Sequence, residues 1–209
     1  MNRIRRLAQV AVSLIAFPLA LACGGSTNHD GSTAGNAAIE VTALKTGGFD
    51  YTQGTYLLGF EFKANSEIQV TDLGYYDSNL EGSSSETFEA TPVGLYDLST
   101  GTLLGSVTVS ASDPSHGFYR YHSLASPIAL NTSDSYAAVA VTGTNYYVAG
   151  EGASCVGGFA CSNATANSAI TITGGACLGS SCLTETSTLS EPNDSESWIN
   201  LSANFLISE

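Results

Sequence analysis

The stretch "TYLLGFEFKA", Thr55 to Ala64, alternates residue by residue. Tyr56, Leu58, Phe60, Phe62 and Ala64 fall on one face, and Glu61 and Lys63 on the other. A period of two with one apolar face is a β-strand with one side buried. The same grammar recurs on both sides of it. "TLLGSVTVSA" sets Leu103, Val107 and Val109 against Ser106 and Thr108. "SYAAVAVTG" offers Val139 and Val141, "AITIT" offers Ile170 and Ile172, and "SWINLSANFLIS" offers Ile199, Leu201, Phe205 and Ile207. Turn formers separate these runs in "DSNLEGSSSE", "DLSTG", "SDPSHG" and "NTSDS". Short alternating strands at such spacing predict an all-β chain, an antiparallel two-sheet sandwich. No stretch after residue 37 carries a helical period. One run breaks step. In "IQVTDLGYYD", Ile68 and Val70 share a face, while Leu73 and Tyr75 are out of phase with them. A bulge near Thr71–Asp72 would return both to the core.

The first residues read differently. Arg3, Arg5 and Arg6 precede a mostly apolar run, Leu7 to Ala22, which is the layout of an export signal. The run is shorter than the roughly 20 residues needed to span a bilayer as a helix. The small residues Ala20 and Ala22 lead into Cys23. Leu19 to Cys23 resembles a bacterial lipoprotein signal, with Ala20 standing where that family prefers leucine. The resemblance implies cleavage of residues 1–22 and lipidation of Cys23, with the chain held by membrane-embedded acyl chains. An ordinary secretory signal with Cys23 incidental is the alternative. Gly24 to Ala37 lacks large apolar residues and reads as a flexible tether. Its r.m.s. reach is about 20 Å, from roughly 5–6 Å times the square root of its length. A glycine rather than an aspartate after the cysteine implies the outer membrane of the cell envelope. Residues 38–209 then form one sandwich domain.

Removing residues 1–22 leaves Lys45, Lys63 and Arg120 against all 19 acidic residues, a formal balance of 3 − 19 = −16. Nucleic acid needs clustered Lys and Arg, so the reading has no nucleic-acid partner. Electrostatic adhesion to anionic lipid is excluded on the same ground. Four cysteines follow Cys23: Cys155, Cys161, Cys177 and Cys182. In an exported chain they read as two disulfides, with three pairings open and the local one, Cys155–Cys161 and Cys177–Cys182, favoured. Zinc is the competing reading, and the absence of C-x-x-C or a nearby histidine speaks against it.

"VTDLGYYDSN", "TPVGLYDLSTGTLLGSVTVS", "YRYHSLASPIAL", "SYAAVAVTG" and "ANFLIS" together resemble an exported bacterial domain of unknown function common in proteins with PEP-CTERM sorting tails. The resemblance covers roughly residues 42–149 and 196–207. It implies a jelly-roll-like sandwich in a surface setting and no catalytic residues. The chain ends "FLISE", without the family's sorting tail. Residues 150–192, rich in Cys, Gly and Ser, read as an insertion.

Three places could carry chemistry. Asp77, Asn79 and Glu81 alternate in a polar loop and could ligate Ca²⁺, the one cofactor the reading entertains. The plain alternative is a polar hairpin loop. In "HGFYRYH", Arg120 stands beside tyrosines and could grip a sugar. Alternatively, Tyr119 and Tyr121 fill the core and Arg120 pairs with a surface carboxylate. Tyr75–Tyr76 and Tyr146–Tyr147 are adjacent pairs, so one of each should face outward, and Tyr76, Tyr146 and Tyr147 join Arg120 as ligand candidates. No catalytic motif is present. Asp113, Ser115 and His116 are neighbours on one turn, whereas a triad assembles from separated elements. The expectation is a non-enzymatic module with a structural or protein-interaction role at the cell surface. The alternative is binding of extracellular polysaccharide.

Overall fold

In the computed structural model the alternating stretch forms a strand at the centre of a six-stranded antiparallel sheet. The structure describes residues 36–43, 49–51, 55–81, 87–143, 146–148, 163–180, 182, 184–196 and 199–208. The strands run in chain order as β1 (Asn36–Ala37), β2 (Ile39–Ala43), β3 (Phe49–Tyr51), β4 (Leu57–Ala64) and β5 (Ile68–Tyr76). Then follow β6 (Thr91–Asp97), β7 (Thr102–Val109), β8 (Ser115–His116), β9 (Tyr119–Leu130) and β10 (Ser135–Val141). Last come β11 (Tyr146–Val148), β12 (Asn163–Ala166), β13 (Ile170–Cys177), β14 (Asp194–Glu196) and β15 (Ala203–Ser208). One sheet has the order β14-β13-β4-β10-β6-β7, and the five-stranded sheet facing it has the order β1-β15-β5-β9-β8. Two-stranded ribbons, β11-β3 and β12-β2, complete the described strands.

The sheets meet through aromatics. Phe205 of β15 packs on Phe60 and Phe62 of β4, with ring centroids 6.1 and 5.0 Å apart. Each such buried side chain contributes roughly 1.5–3 kcal/mol. The bulge falls at Thr71. Both ladders on β5 skip it, passing from Val70 to Asp72 against β9 and from Ile207 to Leu206 against β15. Leu73 and Tyr75 thereby join Ile68 and Val70 in the core.

Three expectations change. First, β4 is buried on both faces where it begins. Leu57 sits in a second apolar cluster with Tyr96, Val139, Val141 and Ala176, on the far side of the sheet from the phenylalanines. Leu178 and Leu189 pack against that cluster. The segment after β13 thus works as a strap over a second, smaller core. Second, Leu103 does not share a face with Val107 and Val109. The β6–β7 register pairs Leu95 with Gly105 but Tyr96 with Leu103, skipping Leu104, so a bulge turns Leu103 outward. Third, residues 150–192 are more than an insertion. They supply β13, which pairs with β4 on one side and β14 on the other.

The connections divide by end. At one end lie short turns: β4 to β5, β6 to β7, β9 to β10 and β12 to β13. Each carries an Asn or Asp whose side chain holds nearby backbone or side-chain groups, as Asp97 Oδ1 does for Ser99 N at 2.8 Å and Asn131 Oδ1 for Ser133 N at 2.9 Å. At the other end lie the long connections, after β5, after β10 and after β13.

Candidate functional site

The long-connection end begins where β5 stops. Asp77 ends the strand because its side chain competes for the backbone. Its Oδ1 accepts from Asn79 N at 3.0 Å and Asn79 Nδ2 at 2.9 Å. Its carbonyl accepts from Leu80 N at 3.0 Å, which winds Ser78–Glu81 into a single 3-10 turn. The Asp77 amide donates to Phe118 O at 2.9 Å, fastening the turn to the start of β9.

Arg120 completes the carboxylate. Its Nε donates to Asp77 Oδ2 at 2.6 Å, and its Nη1 donates to Asp113 O at 2.9 Å. The guanidinium carbon lies 5.8 Å from the centre of the Phe88 ring. The Asp77 side chain is 1% exposed and that of Arg120 is 21% exposed. Removing a carboxylate from water is costly unless it is paired and hydrogen-bonded, and here it is both. Asp113 is occupied as well. Its Oδ2 accepts from Ser110 N at 2.6 Å and Ser110 Oγ at 3.1 Å, and its Oδ1 lies 3.0 Å from His122 Nδ1.

The two sequence candidates therefore meet and answer each other. The aspartate read as a calcium ligand holds the arginine read as a sugar grip. The carboxylate pairing with Arg120 is buried rather than on the surface, because a tight turn draws Asp77 under the end of the sheet. A cation placed at Asp77 would face the Arg120 charge and two donors from Asn79. Asn79 directs its amide nitrogen, not its oxygen, at that carboxylate. The Glu81 side chain lies outside the described residues. Among the described residues, no group of three or more His, Cys, Asp or Glu is placed to hold a metal ion.

Tyr76 does not face outward. Tyr75 is 6% and Tyr76 3% exposed, because both faces of β5 are covered at this point. Tyr75 meets Phe88 edge-on at 6.0 Å on the inner face. On the opposite face Tyr76 meets Tyr119 edge-on at 5.9 Å, and the Tyr119 hydroxyl donates to Leu201 O at 2.6 Å. Tyr121 joins them, lying across Gly74. A Cβ there would stand 2.5 Å from the Tyr121 ring, so this position of the "LGYYD" run admits only glycine. Burial first, then Tyr119, Glu40 and Asp72, push the Tyr121 hydroxyl far above the ordinary phenol value, so it stays neutral.

Tyr146 and Tyr147 pair with Tyr51 and Asp50 in the β3–β11 ribbon, and their side chains lie outside the described residues. Cys23, Cys155 and Cys161 also lie outside them. Cys177 and Cys182 form a disulfide, with Cα atoms 5.1 Å apart, packed against Leu58. It pins the strap, together with Gly179 N to Asn193 Oδ1 at 2.8 Å and Thr186 N to Thr55 O at 2.9 Å. Sequence reasoning missed Phe88 and Asp113 as partners of Arg120. Neither motif nor spacing marks them, since they come from two other connections.

A family model described as a domain of unknown function, DUF4082, matches residues 43–194. Its bounds enclose the cysteine-bearing segment. No curated protein matches the chain.

Proposed function

We propose, for a chain that belongs to the DUF4082 family of domains of unknown function, a non-enzymatic β-sandwich displayed on the cell envelope that engages a protein partner through its long-connection end. One observation carries this reading. The polar groups best suited to catalysis or ligation are already spent in locking that end together: Asp77 on Arg120, Arg120 also on the Asp113 carbonyl, and the Asp113 carboxylate on Ser110 and His122. What the end offers a partner is a rigid base with long connections upon it, the arrangement by which sandwiches present recognition surfaces. The envelope setting rests on the signal-like residues 1–22 and an acylated Cys23. Palmitate labelling of the chain should disappear in Cys23→Ser, and the variant should leave the membrane fraction. To test the partner, a photo-crosslinking residue is placed at Thr87, on the long-connection end, or at Thr132, on a short turn. Discrete adducts on intact cells should arise from Thr87 alone. Adducts from both positions, or from neither, would refute the reading.

The polysaccharide alternative keeps one supporting feature, the Arg120 guanidinium over Phe88 with part of its edge exposed. An array of bacterial and plant polysaccharides decides it. A hit abolished by Phe88→Ala would establish a glycan site, and a blank array would remove it.

A further inference from the structure

We propose that the free edge of β7 is a self-association surface, on which a second copy of this chain pairs antiparallel across a twofold axis at Val107. The inference is independent of what the long-connection end binds.

The two main sheets end in four strands, three of them very short; β8 pairs with β9 only at Tyr119 and Arg120, so the rest of β9 is open beside β7 among the described strands. β1 and β8 have two residues each, and β14 is the three-residue run Asp194–Glu196 with an acid at each end. Very short and charged edges are the usual protection against stray strand pairing. β7 has neither device. It runs for eight residues, pairs among the described strands with β6 on one side only, and carries no charge. Strands of Thr, Val and Ser at a sheet edge hold a row of unused amides and carbonyls ready for another strand.

Charge narrows the occupant to a like copy. The whole chain has a formal charge of −13, so two copies repel over most approaches. Yet no charged residue lies between Asp97 and Asp113, and none between His122 and Asp134. Those stretches include β7 and the second half of β9, which lie side by side, with Ile128 and Leu124 packed toward Gly105. This is a neutral flank on an acidic molecule. Among the described residues, the one exposed large hydrophobic side chain, Leu103 at 42%, also lies on β7. A neutral surface meeting its own copy incurs no repulsion, whereas an acidic surface does.

The register is self-complementary. The bulge at Leu104 leaves Gly105–Val109 as the regular part of the edge, pairing with β6 from Leu95 to Thr91. Its middle residue is Val107. An antiparallel copy centred there sets Gly105 opposite Val109 and Ser106 opposite Thr108, a hydroxyl pair that sheets favour. Ser106 and Thr108 are exposed. A twofold pairing closes on itself, and that closure stops it at a dimer.

The test is sedimentation velocity of the full exported chain across a dilution series. The wild type should reach a dimer. The double variant Ser106→Lys, Thr108→Lys should stay monomeric and melt where the wild type melts at dilutions that dissociate it, since both positions are exposed. Register is read separately. Mixing a Ser106→Cys chain with a Thr108→Cys chain should give a crosslinked pair under oxidation, and neither chain alone should do so. A wild type that stays monomeric overturns the proposal. So does a dimer that survives the lysines, or a β7-dependent complex formed only with a different protein.

Discussion

The two ends of the sandwich use the same local chemistry to different effect. At the short-turn end, Asn131 Oδ1 accepts from Ser133 N and Asp134 N at 2.9 and 3.2 Å, in full exposure. At the long-connection end, Asp77 Oδ1 makes the same kind of bond to Asn79 N, but buried and with Arg120 on its other oxygen. A side chain that reaches two residues ahead is a local event in both cases. What differs is the surroundings. The Asn131 turn can lose its bond to water at little cost, whereas Asp77 has no water to turn to. The first kind of turn decides only where the chain reverses. The second decides whether the connection after β5 holds to the one after β7 and to β9.

The largest test of that difference is Asp77→Ala, which strands Arg120 and unties the 3-10 turn. It should cost about 3 kcal/mol in urea unfolding, as losing one partner of a buried pair does. The double variant Asp77→Asn, Arg120→Leu should recover much of the loss, because it strands no charge. Removing the strap's disulfide by Cys177→Ala with Cys182→Ala comes next, at about 2 kcal/mol from the released short loop. The read-out is the melting temperature, which reducing agent should lower more in the wild type than in the variant. Asn131→Ala should cost about 1 kcal/mol or less, the worth of an exposed turn bond. If it costs as much as Asp77→Ala, burial does not separate the two ends and the comparison fails.

Two smaller effects sharpen it. Glu61 lies midway along β4, away from both ends. Burial raises its pKa above the ordinary carboxylate value, opposed by a hydrogen bond from Ser195. The folded state thus holds that proton more tightly than the unfolded chain does, and stability falls as pH rises through the carboxylate range. Glu61→Gln should flatten that part of the stability–pH curve without a loss at neutral pH. The smallest expected effect is that of Ca²⁺. With both Asp77 oxygens committed, added Ca²⁺ should leave the melting temperature where EDTA leaves it. A rise that Asp77→Asn removes would show that the cation displaces Arg120.

Much of the fold was legible because a strand writes its burial into a period of two. The bulge at Thr71 was readable for the same reason: two in-phase apolar pairs with a phase slip between them admit few repairs. The slip at Leu104 was not readable, since "TLLGSVTV" alternates passably in either register and only the pairing with Tyr96 chooses. The Tyr75–Tyr76 expectation failed because alternation assigns faces but not what covers them. Both faces of β5 are covered, one by Phe88 and one by Tyr119.

The sequence by itself determined an all-β chain, its turn positions, an acidic balance, and the local pairing of Cys177 with Cys182 as one of its options. Each depends on composition or on neighbours a few residues apart. Only the tertiary structure decided that Asp77 and Arg120 belong together, that a strap covers a second core, and that β7 is left at an edge. Those facts depend on which strands lie beside each other. The partners are far apart in the chain, and nothing in local periodicity records them.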